Sequence, residues 1–233
     1  MRYTLILFLL SFSIKAQKSY FPGKIWMEKS PESQGVDSKK ILNAIEFAKK
    51  NENSVDKDLR ISILKSFGHE PEYRIKGPTK KRGETNGLII KNGYIIGKWG
   101  DTKRVDMTFS VTKSYLSTVA GIAYDRKLIS LDDNLKDYIW DGKFDDPHNS
   151  QITWHHLLNQ SSQWSGELFG TYDWADRPPR GLSLEEIKKQ KILSPGKAYK
   201  YNDVRVNLLS YSLLNIFRKP LPVVLKENIM DPI

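Results

Sequence analysis

The chain has 233 residues, of which 39% are hydrophobic and 27% are charged, and it contains six Trp, eleven Tyr and nine Phe. A chain of this length and apolar content can bury a sizeable core, so a disordered protein is excluded. It contains no Cys, which excludes disulfides and a lipid-modified N-terminal cysteine.

The formal net charge of +10 raises the question of a nucleic-acid partner. The basic residues are scattered along the chain, and their densest runs, at 76–82 and 188–191, contain no interleaved aromatic residues. We therefore interpret the charge as a solvated basic surface and expect no nucleic-acid partner.

Residues 1–16 are typical of a secretory signal peptide, with a positive charge at Arg2, an apolar run and a small residue at Ala16. The apolar run of about twelve residues is shorter than the roughly 20 that span a bilayer, although a retained anchor is the alternative. We expect cleavage after Ala16, a periplasmic or secreted protein consisting of residues 17–233, and no stable membrane insertion after the leader is removed.

The first predicted element of this mature chain is a helix that begins near Asp37 or Ser38, which are both suited to an N-cap position. Its expected apolar face carries Ile41, Leu42, Ile45 and Ala48. A polar, weakly patterned region then extends to about Glu84.

Two strands are predicted within the run GLIIKNGYIIGKWG at 87–100. Asn92 and Gly93 separate them, and this dipeptide accepts the positive φ values of a tight hairpin turn. This hairpin is the strongest strand signal in the chain.

Helical patterns dominate after Ser110. The first helix is expected to use one apolar face, formed by Val111, Tyr115, Val119 and Ile122. Further helices are predicted at 184–193, at 204–217 and after the Pro220-Leu221-Pro222 segment, with a Trp- and Gly-rich loop at 161–180. The order of elements predicts an α/β fold, in which an α+β sheet layer with helices carries an inserted, mostly helical lobe at about 123–200.

A Ser-x-x-Lys spacing occurs four times, beginning at Ser54, Ser62, Ser110 and Ser194. Ser62 lies in a segment that looks extended, and only Ser110 stands where an extended segment enters an apolar helix. Ser110 and Lys113 share a helix face, so the lysine can take the serine proton if burial or nearby positive charge lowers the lysine pKa. The helix start and the Ser110 N–H can also stabilise an oxyanion. The alternative makes Ser110 an N-cap and Lys113 a solvated residue.

The stretch DMTFSVTKSYLSTVAG at 106–121 resembles the nucleophile motif of the serine β-lactamase and penicillin-binding superfamily, in its class C β-lactamase-related branch of serine hydrolases. Other segments follow in the family's order, namely GLIIKNGYIIGKWG before the serine, then GIAYDRKLISLDD and ITWHHLLNQSSQW. The resemblance extends from about residue 31 to residue 233 and implies a β-lactamase/transpeptidase-like fold.

The family's second motif, Tyr-x-Asn, is matched imperfectly by YND in the run PGKAYKYND, where Asp203 replaces the asparagine. The resemblance implies that Tyr201 exchanges a proton with Ser110 or with the leaving group. Tyr199 is the nearest alternative, and a core tyrosine at a helix entry is another interpretation of Tyr201. Asp203 places in doubt the amide-type contacts to substrate and adds a negative charge near Lys113.

The family's third motif, Lys or His followed by Thr or Ser and then Gly, is absent, because no glycine follows Gly196. In the family this strand also donates the second N–H of the oxyanion hole. The resemblance therefore implies the N-terminal portion of a longer hydrolase, incomplete at the C-terminus, and leaves the activity of this chain alone open.

Competing enzyme classes lack their motifs. No G-x-S-x-G elbow occurs, and the four histidines do not have zinc-site spacings, so we expect neither a metal nor another cofactor. We predict an exported serine hydrolase acting on a small-molecule or peptide-like acyl substrate, whether ester, D-amino-acid amide or β-lactam. Its predicted catalytic residues are Ser110, Lys113 and Tyr201, with Asp203, Trp164 and Tyr172 binding substrate. The alternative is a non-catalytic binding or sensor domain, or an inactive fragment, of the same fold, and the oligomeric state stays open.

Overall fold

The computed structural model describes residues 20–233, and the predicted leader lies outside them. The chain divides into two compact units. The first is formed by Met1–Glu52, described from residue 20, together with Glu84–Lys103. The second is formed by Asn53–Gly83 and Arg104–Ile233.

Among its described residues, the first unit contains a 3₁₀ turn, one α-helix and one hairpin. Helix α1 (Ser38–Lys50) begins at Asp37, whose carboxylate accepts hydrogen bonds from two backbone N–H groups of the first turn. Strands β1 (Gly87–Lys91) and β2 (Tyr94–Trp99) pair antiparallel. Asn92 and Gly93 between them have φ values of 52° and 81°. Both elements confirm their sequence predictions because cap and turn chemistry is local.

Gly97 permits close packing of β2 on α1. A Cβ atom at this position would lie 3.0 Å from Cγ2 of Ile41 and 3.4 Å from Cδ1 of Ile45. Hydrogen at the Gly97 Cα therefore lets the helix approach the strand closely, and Ile45 is buried there.

The second unit contains the remaining helices and a short hairpin. The helices are α2 (Leu59–Phe67), α3 (Thr112–Asp125), α4 (Trp154–Leu158), α5 (Leu184–Lys188), α6 (Asp203–Phe217) and α7 (Leu221–Leu225). The hairpin consists of β3 (Glu167–Leu168) and β4 (Thr171–Tyr172). The core lies where α3, α4 and α7 pack around α6, and Trp154, Leu208 and Leu213 are fully buried in it.

Two local predictions for this unit are wrong, and a third is confirmed only in part. The extended-looking segment around Ser62 is helix α2, which Asp58 caps by accepting a hydrogen bond from the Arg60 N–H. Of the apolar face predicted for α3, Val119 is buried and Ile122 packs against the core, whereas Val111 and Tyr115 are exposed. Helix α5 ends at Lys188, five residues earlier than predicted.

The segment predicted as a mostly helical lobe, at about 123–200, consists of short helices, 3₁₀ turns, irregular chain and the small hairpin of β3 and β4. Thr153 and His156 form a reciprocal capping box at the start of α4, so His156 serves helix capping. Within residues 20–233, no helix is both long and apolar enough to cross a bilayer.

Candidate active site

Ser110 lies in a 3₁₀ turn, Phe109–Val111, that leads directly into α3. Phe109 adopts a left-handed backbone conformation, with φ of 48°, which is a strained geometry for a residue with a side chain. The N-cap position of α3 belongs to Val111. The interpretation of Ser110 as the helix cap is therefore wrong, and its hydroxyl is directed to other partners.

Those partners are the two other predicted catalytic residues. The Ser110 Oγ and the Tyr201 hydroxyl oxygen are 2.6 Å apart, within hydrogen-bonding distance. The Lys113 Nζ donates to the Ser110 Oγ over 3.3 Å and lies 4.8 Å from the centroid of the Tyr201 ring. The structure thus brings Ser110, Lys113 and Tyr201 into mutual contact across 91 residues of sequence.

Tyr201 reaches Ser110 because Asn202 fixes the start of α6. Asn202 is fully buried, and its Oδ1 accepts a hydrogen bond from the Arg205 N–H as the helix N-cap. Its Nδ2 donates to the backbone carbonyl of Asp173. Tyr201 and Asp203 flank this anchored residue, so their side chains start from fixed backbone positions. Packing of α6 on α3 brings the N-terminal ends of both helices together at the site.

Asp203 forms ion pairs with two cations. Its Oδ1 lies 2.6 Å from the Lys113 Nζ, and its Oδ2 accepts a hydrogen bond of 2.7 Å from Nη1 of Arg177. Arg177 also donates to Asp176 over 2.8 Å, and Asp176 accepts a hydrogen bond from the Asp203 N–H. The site therefore contains two cations and two carboxylates beside the serine and the phenol.

These contacts set the protonation states of the site. Burial alone would lower the pKa of Lys113, but its contacts with Asp203 and Tyr201 outweigh burial, so its pKa is raised. Burial alone would raise the pKa of Tyr201, but the interactions with Lys113 and Ser110 outweigh it, so its pKa is lowered. The raised pKa of Lys113 corrects the expectation that burial lowers it. Tyr201 is the group whose proton is easier to remove.

An open cavity of about 750 Å³ adjoins these groups. Ser110, Lys113, Arg177 and Asp203 line its polar part. Its remaining lining is mainly apolar and includes Met107, Phe109, Tyr115, Leu116, Val206, Leu221 and Leu225. A substrate with an apolar acyl group can thus reach the Ser110 hydroxyl from this side.

Two of the three predicted substrate-binding residues lie elsewhere. Trp164 is a core residue with 1% exposure, and its indole N–H donates to the Lys143 carbonyl. This burial corrects the expectation that Trp164 lines the pocket. Tyr172 is exposed and stacks on Trp174 in a separate groove. Tyr199, the alternative to Tyr201, is 66% exposed.

Arg177 is the site residue that the sequence interpretation missed. It lies in irregular chain after a 3₁₀ turn, 26 residues before Asp203, and has a left-handed φ of 49°. Neither helical nor strand periodicity marks such a position. The sequence did contain one indication of its role. Asp203 puts a carboxylate where the family motif has a neutral amide, and Asp176-Arg177 in the preceding Trp- and Gly-rich loop offers a cation to pair with it.

Comparison with known proteins gives one family. A family model described as Beta-lactamase matches residues 88–233, which is more than half of the chain and includes Ser110, Lys113, Tyr201 and Asp203. No curated protein sequence matches the chain.

Solved structures resemble the chain at low identity. A β-lactamase/D-alanine carboxypeptidase from Yersinia pestis is 22% identical, with a TM-score of 0.38 over 53% of this chain and 37% of its own. A penicillin-binding protein from Bacillus halodurans is 20% identical, with a TM-score of 0.36 over 51% and 37%. A D-stereospecific amidohydrolase from a Streptomyces species is 20% identical, with a TM-score of 0.42 over 58% and 45%. The chain spans less than half of the length of each of these structures.

Proposed function

Since the chain belongs to the Beta-lactamase family of serine hydrolases, we propose that it is an exported enzyme that cleaves an ester, an amide or a β-lactam through a Ser110 acyl-enzyme. The observation that carries this proposal is the 2.6 Å contact between the Ser110 Oγ and the Tyr201 hydroxyl, with the Lys113 Nζ beside both. The leader-like residues 1–16 support export.

Acylation begins when the Ser110 Oγ attacks the substrate carbonyl carbon. The serine proton moves to the Tyr201 oxygen, which the contact geometry already aligns for transfer. The Lys113 ammonium stabilises the phenolate form that accepts this proton, consistent with the lowered pKa of Tyr201. Tyr201 is thus the general base, and Lys113 supplies positive charge without losing its own proton.

The same phenol returns the proton in the next step. When the tetrahedral intermediate collapses, Tyr201 donates its proton to the leaving oxygen or nitrogen, and the acyl group stays on Ser110. Water then attacks the acyl carbon and gives a proton to Tyr201, which transfers it to the Ser110 oxygen as the acid departs. The Ser110 N–H, at the N-terminal end of α3, is a candidate donor to the oxyanion.

Covalent labelling tests the proposal. The protein is incubated with a fluorophosphonate and, separately, with a fluorescent penicillin, and its intact mass is measured. We expect one adduct per chain from at least one probe, located on Ser110 by peptide mapping and absent in Ser110→Ala. Ser62→Ala is the matched control, because Ser62 also begins a Ser-x-x-Lys spacing but is buried in α2.

Two outcomes would count against the enzyme. Labelling that persists in Ser110→Ala would remove this serine from the mechanism. Absence of labelling together with saturable binding of the penicillin would instead favour the non-catalytic binding or sensor domain.

A further inference from the structure

Arg177 contacts four residues around the site. Its Nη1 donates to Asp203 over 2.7 Å and to Asp176 over 2.8 Å. Its guanidinium carbon lies 4.8 Å from the centroid of the Tyr201 ring and 5.3 Å from that of Phe67. The guanidinium thus lies close to two aromatic rings, while both carboxylates accept hydrogen bonds from the same nitrogen, Nη1.

The backbone of Arg177 supports a specific role. Its φ of 49° lies in the left-handed region, which is unfavourable for a residue with a Cβ atom. A strained residue persists where the surrounding contacts determine it, and such residues are concentrated at functional sites. Arg177 combines this backbone conformation with its contacts to Asp203 and Tyr201.

The negative charge of Asp203 opposes deprotonation of Tyr201, and Arg177 is one of the cations paired with it. The carboxylate lies two residues from the general base, and its negative charge raises the pKa of Tyr201. Lys113 is the only other cation that contacts Asp203 directly among the described residues. If Lys113 alone had to balance Asp203, less of its positive charge would act on the phenol.

We infer that Arg177 is a positioning residue, which balances the charge of Asp203 and flanks Tyr201, and thereby sets the pH range in which Tyr201 exchanges a proton with Ser110. This inference rests on the proposed function. It assigns a role to Arg177, which lies outside the motifs of the family. Arg177 acts on the reaction through Tyr201 and Asp203.

Other charged groups also face this cluster. Glu70, from the chain after α2, interacts with Asp176 and Arg177, and His69 interacts with Glu70. Lys200 interacts with Asp176. Lys76 lines the cavity that Arg177 and Asp203 also line. None of these groups both pairs with Asp203 and lies against the Tyr201 ring, as Arg177 does. Replacing Arg177 therefore leaves their charges in place.

Direct titration of Tyr201 tests the inference without requiring turnover. The protein is labelled with 13Cζ-tyrosine, the Tyr201 signal is assigned by its loss in Tyr201→Phe, and its chemical shift is followed against pH. In Arg177→Gln we expect the midpoint of this titration to rise by about one pH unit, because a partly exposed positive charge, whose Cζ lies 4.8 Å from the centroid of the Tyr201 ring, is removed. Arg180→Gln is the matched control, since Arg180 is an exposed arginine three residues along the same segment, and it should leave the midpoint unchanged.

A second variant tests the part played by Asp203. Asp203→Asn alone should lower the Tyr201 midpoint, because the opposing negative charge is removed. The double variant, with Arg177→Gln and Asp203→Asn, should return the midpoint towards the wild-type value. If Arg177→Gln does not fold, as judged by circular dichroism, Asp203→Asn alone decides whether the charge at Asp203 acts on Tyr201.

The pH dependence of fluorophosphonate labelling gives the kinetic counterpart. The acidic limb of the labelling rate should move upward in Arg177→Gln by the same amount as the Tyr201 midpoint. A folded Arg177→Gln protein with an unchanged midpoint and limb would overturn the inference, as would an unchanged midpoint in Asp203→Asn. A rate that falls equally at every pH would assign Arg177 a purely structural role. Failure of the proposed function is a different result, namely no labelling of wild-type Ser110 at any pH.

Discussion

The ion pair between Arg205 and Asp173 supports the start of α6, so its loss should lower the free energy of unfolding of the second unit. Only 4% and 5% of the two side chains are exposed, and the Arg205 Nη2 donates to the Asp173 Oδ2 over 2.9 Å. The Arg205 Nε also donates to the Trp164 carbonyl. Replacement of Arg205 by Met retains an unbranched side chain but leaves both acceptors without this donor.

The expected loss follows from burial. Removing one partner of a buried pair leaves an uncompensated charge and costs about 3–5 kcal/mol. Within the described residues the Arg205 Nη1 has no hydrogen-bond partner, so its desolvation already reduces the contribution of the pair. We therefore expect a loss near the lower limit, about 3 kcal/mol, for Arg205→Met.

Urea and thermal unfolding measure this loss. For a chain of this size, about 3 kcal/mol corresponds to a fall in Tm of roughly 6–12 °C. Lys219→Met is the matched control, because Lys219 and Glu227 form a shorter ion pair of 2.6 Å, but their side chains are 45% and 48% exposed. An exposed pair contributes at most about 1 kcal/mol.

The comparison separates burial from distance as the cause of stabilisation. If Arg205→Met lost less than about 1 kcal/mol, or no more than Lys219→Met, the argument from burial would be refuted. Adding Asp173→Leu to Arg205→Met should recover part of the loss, because the unpaired carboxylate is removed with its partner.

Three further outcomes are expected at the site. Tyr201→Phe should lower the rate of Ser110 acylation by about 10²–10⁴, because the general base is lost, while Tyr199→Phe should not, as probe labelling followed over time would show. In the pH profile of acylation, Asp203→Asn should move the acidic limb to lower pH, since the carboxylate opposes deprotonation of Tyr201; a move to higher pH would contradict this sign. Asn202→Ala should destabilise the protein by about 2 kcal/mol through loss of the N-cap and of a buried hydrogen bond, and an unchanged urea midpoint would argue against its anchoring role.

Local chemistry made part of the fold predictable. Asp37 at the start of α1 and Asn92-Gly93 in the hairpin act within a few residues, so the sequence alone indicates them. Helix α2 was missed because Ile61 and Ile63 favour strands when considered alone, whereas Asp58 and tertiary packing favour a helix. The buried face of α3 was only partly right, since Val119 and Ile122 meet the core but Val111 and Tyr115 do not, because a helical period does not say which of two neighbouring apolar stripes is buried.

The site residues that belong to a sequence motif could be predicted, and the others could not. The motifs place Ser110, Lys113 and Tyr201 in one group, and the structure brings these side chains into contact. Trp164 shows the limit, since an aromatic residue in a glycine-rich loop can equally line a pocket or fill a core, and only packing decides. The direction of the Lys113 pKa shift could not be predicted from the sequence either, because it depends on the balance between burial and the contact with Asp203.

Asp203, in place of the asparagine of the family motif, changes the charge balance around Lys113 and Tyr201. A neutral amide would leave the Lys113 ammonium free to stabilise the Tyr201 phenolate, whereas a carboxylate 2.6 Å from the same ammonium competes for it. The second cation restores the balance, because the Lys113 Nζ and the Arg177 Cζ both lie 4.8 Å from the centroid of the Tyr201 ring. Two positive charges therefore lie beside the Tyr201 ring, and each is paired with one oxygen of Asp203. Under the proposed function, these two cations offset the carboxylate that accompanies the tyrosine base.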